Sequence, residues 1–191
     1  MRQLIRQRDG VAALVADEWR AVAAGTNGAG AVVGTDAGFD RSESGGGIAI
    51  RSLILPLARW QAERDQWWLW VGRLGVRIAP NDRVEALESD LVRLALIAIE
   101  FPGPSEGRGY SQARVLRDRF GFTGEVRAVG HVKLDQLFFL ARCGFDALEL
   151  ADGTDPQQAL QALRQFDVAY QPGAVASPAL RRRTLADRRS S

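Results

Sequence analysis

Cysteine, histidine and lysine each occur once in this chain, as Cys143, His131 and Lys133. A single cysteine rules out an intrachain disulfide and any zinc or iron–sulfur site built on cysteines of this chain. A single histidine leaves His131 without a second imidazole for a common zinc or non-haem iron site. With one lysine, Schiff-base chemistry is confined to Lys133. Long apolar runs are also missing. None approaches the ~20 residues needed to cross a bilayer, and Met1–Trp19 has charges scattered through it in place of a continuous apolar core. A soluble, cytoplasmic chain with no membrane partner is the expectation. The chain has no Walker loop, no dinucleotide fingerprint and no motif for flavin, haem or a cluster, so neither cofactor nor metal is expected.

Positive charge is scarce where nucleic acid would need it. The chain carries a formal net charge of +2. The tail after Leu180 contributes Arg181, Arg182, Arg183, Arg188 and Arg189 against Asp187, which leaves the remainder net negative. Such a body cannot neutralise a phosphate backbone, so no nucleic-acid partner is expected.

What is present is an apolar content of 46% over 191 residues, enough for one buried core. Residues 1–24 read as a small N-terminal β-hairpin, with LIRQR and VAALVADEW on either side of Asp9-Gly10. Residues 25–47 hold eight glycines among small and polar residues and read as a flexible linker. Residues 48–171 read as an α/β domain, and residues 172–191 as a disordered basic tail. Within the domain, Leu53–Trp70 carries Ile54, Leu57, Ala58, Gln61 and Ala62 at helical spacing, and predicts a helix ending in Trp67, Trp68 and Trp70. Strands are predicted over Gly75–Ala79, Leu96–Phe101, Val126–Val129 and Ala147–Leu150. Helices are predicted over Val84–Val92, Tyr110–Phe120, Leu134–Cys143 and Pro156–Phe166, the last opened by Thr154-Asp155-Pro156. Strands alternating with helices imply parallel pairing through right-handed crossovers. Such β/α repeats fit half of a (β/α)8 barrel or a flavodoxin-like sheet, and periodicity does not choose between them. A half-barrel leaves open edges, which the N-terminal hairpin or a second copy in a homodimer would cover.

In either architecture the loops after the strands gather on one face, where ligands of parallel α/β folds bind. That face receives Asn81 and Asp82, Ser105, Glu106 and Arg108, His131, and Asp152. Gly107-Arg108-Gly109-Tyr110-Ser111 lies between a strand and a helix. Its glycines allow close backbone approach, the helix N-terminus offers free N–H groups, and Arg108 can clamp an oxyanion such as sulfite, sulfate or phosphate. Arg108, Gly109, Tyr110 and Ser111 are therefore the oxyanion-binding candidates, with Glu106 and His131 as candidate proton-transfer groups. The structural alternative is a tight turn with Ser111 capping the helix and Tyr110 packed on the core. Cys143, before Gly144 at a helix end, reads as a small buried side chain. The tryptophan cluster reads as core or interface.

Phe101-Pro102, Gly107-Arg108-Gly109-Tyr110-Ser111, Ala113-Arg114, Gly121-Phe122, Gly124-Glu125, Arg127-Ala128-Val129-Gly130, Asp135-Gln136-Leu137 and Arg142-Cys143-Gly144-Phe145-Asp146 together resemble the bacterial domain of unknown function 934 family. The likeness covers about Arg73 to Gln171. It implies a role in assimilatory sulfite reduction, either as an oxidoreductase or as an accessory protein beside sulfite reductase, and it brings no established catalytic residue. The chain departs from the family pattern at Gly103-Pro104-Ser105-Glu106 and at His131, where relatives are expected to carry an acidic residue. Two roles follow: a non-catalytic partner of sulfite reductase, or a small oxidoreductase or oxyanion-binding enzyme centred on Arg108.

Overall fold

The computed structural model describes residues 3–8, 11–22, 32–33, 52–103 and 105–164. The Asp9-Gly10 turn, nearly all of the glycine-rich linker and the basic tail lie outside the described residues. The strands are β1 (Leu4–Arg8), β2 (Val11–Val15), β3 (Trp19–Val22), β4 (Val32–Val33), β5 (Ser52–Pro56), β6 (Arg73–Ile78), β7 (Leu96–Phe101), β8 (Glu125–Gly130) and β9 (Ala147–Glu149). The helices are α1 (Leu57–Ala62), α2 (Arg64–Trp68), α3 (Arg108–Arg114), α4 (Leu137–Cys143) and α5 (Pro156–Arg164). A 3-10 helix at Val84–Asp90 takes the place of the helix predicted there, and α3 runs on through a π-helical turn at Val115–Arg119.

Among the described residues the strands form one sheet in the order β2-β1-β9-β8-β7-β6-β5-β3-β4. From β5 to β9 each new strand lies parallel and next to the one before it. A flavodoxin-like sheet reverses its direction of growth at a switch point. This one does not, so right-handed crossovers place the helices on one face, and the sheet is the curled half-barrel alternative.

The N-terminal segment shows how far the sheet curls. β1 pairs antiparallel with β9, covering the edge that the β/α repeats leave open, and β2 pairs with β1. Only Ala16, Asp17 and Glu18 separate β2 from β3, which pairs with β5 at the far end of the repeats. Four Cα steps reach at most roughly 14 Å. In a flat sheet β2 and β3 would stand seven spacings apart, about 34 Å at about 4.8 Å each. The sheet must therefore bend until its edges approach. Val11–Val22 acts as one long bent strand that pairs with β1 in its first half and with β5 in its second.

Strand alternation then defines two faces. Leu74, Val76, Ile78, Ile97, Ile99, Phe101, Val126, Ala128 and Leu148 point outward to the helices and form the main core with Trp60, Leu116, Leu137 and Leu140. The inward face carries a smaller apolar group, Trp19, Ile54, Leu96, Ala98 and Val129. Between these lie charges. The side chain of Arg127 is 1% exposed and pairs with Asp17 at 2.8 Å and with Glu125 at 2.8 Å. Arg6 reaches the other oxygen of Glu125 at 3.0 Å. Asp17 and Arg127 belong to segments that are not sheet neighbours, so their contact spans the concave side.

On the convex side a buried carboxylate ties the first helices to the 3-10 helix. Asp90 accepts from the Trp60 indole N–H at 2.7 Å, from Arg64 Nε at 2.9 Å and from Ser89 Oγ at 3.0 Å. Burial pulls its pKa up, but the hydrogen bonds from Arg64, Trp60 and Ser89 outweigh that, and the carboxyl lies below its ordinary value. A carboxyl depressed in the folded state stabilises the fold above the unfolded-state pKa, and that contribution is lost as pH falls through the folded value. Asp90→Asn is therefore expected to lower stability in urea titrations at neutral pH, with the gap from wild type narrowing at pH below about 4.

Candidate functional site

The loops that follow β6 and β7 are held together by α3. Gln112, buried on α3, donates its side-chain N–H to the carbonyls of Ala79 at 3.0 Å and Asp82 at 2.9 Å. Asp82 closes the same loop by accepting from the backbone N–H of Ala79 at 2.7 Å. Asn81, at its tip, accepts a hydrogen bond from the Arg108 guanidinium. Glu106 accepts from the backbone N–H of Arg108 at 2.9 Å and lies 3.9 Å from Arg108 Nε. The fold thus brings Asn81, Asp82, Glu106 and Arg108 together at the ends of adjacent strands. The guanidinium is anchored at its base and exposed beyond it.

Gly109 and Tyr110 contribute packing. A Cβ on Gly109 would lie 2.5 Å from Phe101 Cζ, so glycine lets α3 sit directly on β7. Tyr110 stacks between Phe101 and Phe139 at centroid distances of 5.3 and 4.9 Å. Burial raises its phenol pKa, with Cys143 and Asp135 adding to the rise. Ser111 lies within α3 rather than at its cap; the residue before the helix is Gly107, and it is Glu106 that accepts from the first helical N–H.

His131 follows Gly130 at the end of β8, and its backbone N–H donates to Phe101 O at 2.7 Å. Its Nε2 is buried with no hydrogen-bond partner among the described residues. Asp152 is exposed in the turn after β9. Among the described residues no hydrogen bond or ion pair joins His131 or Asp152 to the Arg108 group, and no three His, Cys, Asp or Glu side chains group as metal ligands would. Cys143 is buried, and burial pushes its thiol pKa up, away from a reactive thiolate.

The same end of the sheet holds a pair that the motifs did not reveal. Arg77 and Glu100, each next to last in its strand, face inward and pair at 2.7 Å. The signal was present as charge on one face of the strands: Arg73 and Arg77, four apart among the uncharged residues of β6, and Glu125 and Arg127, two apart in β8. Parallel strands covered on both faces are normally apolar throughout.

At the opposite end of the sheet the tryptophans divide. Trp60 and Trp67 are buried in the core. Trp68 is partly exposed, and Leu69, Val71 and Val92 stand out at 82%, 84% and 89%. Arg93 joins these segments by donating to the carbonyls of Trp70 and Gly72.

Curled parallel strands, helices on the convex face and polar loops at the strand ends define an α/β protein of half-barrel type. The chain belongs to the family described as bacterial protein of unknown function (DUF934), whose model matches residues 75–180. Among curated proteins no match is found. Among the described residues no helix is long and apolar enough to cross a membrane.

Proposed function

We propose that this chain is a non-catalytic accessory partner of sulfite reductase in assimilatory sulfite reduction. The resemblance noted in the sequence supports this pathway. The observation that carries the accessory role is the apolar patch of Trp68, Leu69, Val71 and Val92, whose side chains remain exposed although a large core is available to them. Exposed apolar groups on segments that Arg93 joins in this way fit a contact surface. Scarcity of cysteine, histidine and lysine supports the same reading. Titration of the full chain into purified sulfite reductase at physiological salt is expected to show saturable micromolar binding. Leu69→Asp with Val71→Asp should weaken it by about two orders of magnitude, the loss of a desolvated interface centre. Absence of binding at high concentration would overturn the proposal.

A second reading, a small oxyanion-binding enzyme, is favoured by the anchored but exposed guanidinium of Arg108 beside Asn81 and Glu106. Under it, sulfite protects the chain against heat, and Arg108→Ala removes that protection while leaving partner binding intact.

A further inference from the structure

We infer that the inward-facing pair Arg77–Glu100 is a binding site for a small zwitterion of the free α-amino acid type, its carboxylate on Arg77 and its ammonium on Glu100. Parallel β/α barrels place their functional groups at the C-terminal ends of the strands, pointing into the curl. Arg77 and Glu100 occupy such positions on neighbouring strands, β6 and β7.

The inward charges differ in how firmly they are committed. Arg127 is buried between Asp17 and Glu125, and Glu125 also holds Arg6. Parting these groups would leave a buried charge uncompensated, which is strongly unfavourable. They form a structural network. Arg77 and Glu100 hold one another while remaining 38% and 32% exposed in their side chains. A solvated pair of this kind contributes little to stability, so a ligand can replace it. The Nε of Arg77 is buried with no hydrogen-bond partner among the described residues, so the guanidinium has donor capacity that Glu100 does not use.

The pairing of opposite charges selects the ligand. A simple anion on Arg77 would leave Glu100 beside it as a like charge, and a simple cation on Glu100 would do the same to Arg77. A molecule bearing both charges about one bond-pair apart replaces each partner with its equivalent and leaves no charge unpaired. Val129, opposite Glu100 in register, and Ala98, opposite Arg77, are buried and form the apolar floor on which the pair stands.

The test is calorimetric titration of the full chain with a panel of free α-amino acids, followed by the carboxamide and the N-acetyl derivative of the tightest binder. Saturable binding of a zwitterion is expected, with each capped derivative about tenfold weaker or worse, the loss of one charge-assisted contact. Glu100→Gln and Arg77→Gln should weaken the parent ligand to a similar degree, and the exposed control Arg83→Gln should not. Failure of every panel member to bind at millimolar concentration, or equal binding of the capped derivatives, overturns the inference. The capped series uses the unaltered protein, so the result stands even where a variant does not fold. Loss of sulfite reductase binding would leave this outcome untouched.

Discussion

Asp17→Ala is expected to cost the fold about 3 kcal/mol, because it removes one of the two carboxylates that compensate the buried Arg127 guanidinium. Breaking a buried pair from one side typically costs 3–5 kcal/mol; the lower end is expected here because Glu125 stays in place. The aspartate also accepts from the backbone N–H of Trp19 at 3.1 Å, which fixes the chain where it passes from β2 to β3. Urea denaturation followed by circular dichroism measures the effect. Asp17→Leu combined with Arg127→Leu should recover most of the loss, since replacing a buried pair by apolar groups is often neutral or stabilising. A loss below about 1 kcal/mol for Asp17→Ala would show that closure of the curl rests on backbone pairing alone.

Closure of this kind was not legible in the sequence, although its pieces were. The hairpin and the four strands from Gly75 onward lie where apolar periodicity and turn residues predicted them, the strands within two residues; α3 begins two residues early and gives way to the π-helical turn, α4 begins three residues late after a 3-10 turn, and α5 begins at Pro156 as predicted. The helix predicted over Leu53–Trp70 begins instead as the strand Ser52–Pro56. Its run Leu53-Ile54-Leu55 is apolar on both faces and passes at Pro56 straight into α1, so Ile54 and Leu57 continued a helical spacing that tertiary pairing overrode. Trp19–Val22 falls within residues 1–24, read as the hairpin, but it pairs with β5 at the far end of the repeats. In the fold Asp17 points into the concave face, where Arg127 meets it. Strand order carries no local signal at all, and the choice between half-barrel and flavodoxin-like sheets waited on it. The Arg108 loop could be placed because glycines and a helix start mark it locally. The Arg77–Glu100 pair could not, since its two residues meet only once β6 and β7 are known to be neighbours and their common face is known to be concave.

The second large effect is expected at Gly130, where the strand that carries Arg127 ends and the segment that carries His131 begins. Its φ of +98° lies in the left-handed region that side chains disfavour. A Cβ there would lie 2.6 Å from the carbonyl oxygen of Phe101. That oxygen cannot withdraw cheaply, because it accepts the His131 backbone N–H at 2.7 Å and belongs to the β7–β8 ladder. Gly130→Ala therefore combines about 1–2 kcal/mol of backbone strain with a backbone contact that only displacement of the strand end relieves, for a total of about 3 kcal/mol or more. Gly153 supplies the internal comparison: its φ is +84°, but a Cβ there meets nothing within 4 Å. Gly153→Ala should show the strain alone, about 1–2 kcal/mol. Equal losses for the two variants in urea would mean that the strand end yields freely. A larger loss at Gly130, with altered amide signals at His131 in nuclear magnetic resonance spectra, would establish that the geometry of this end of the sheet depends on the missing side chain.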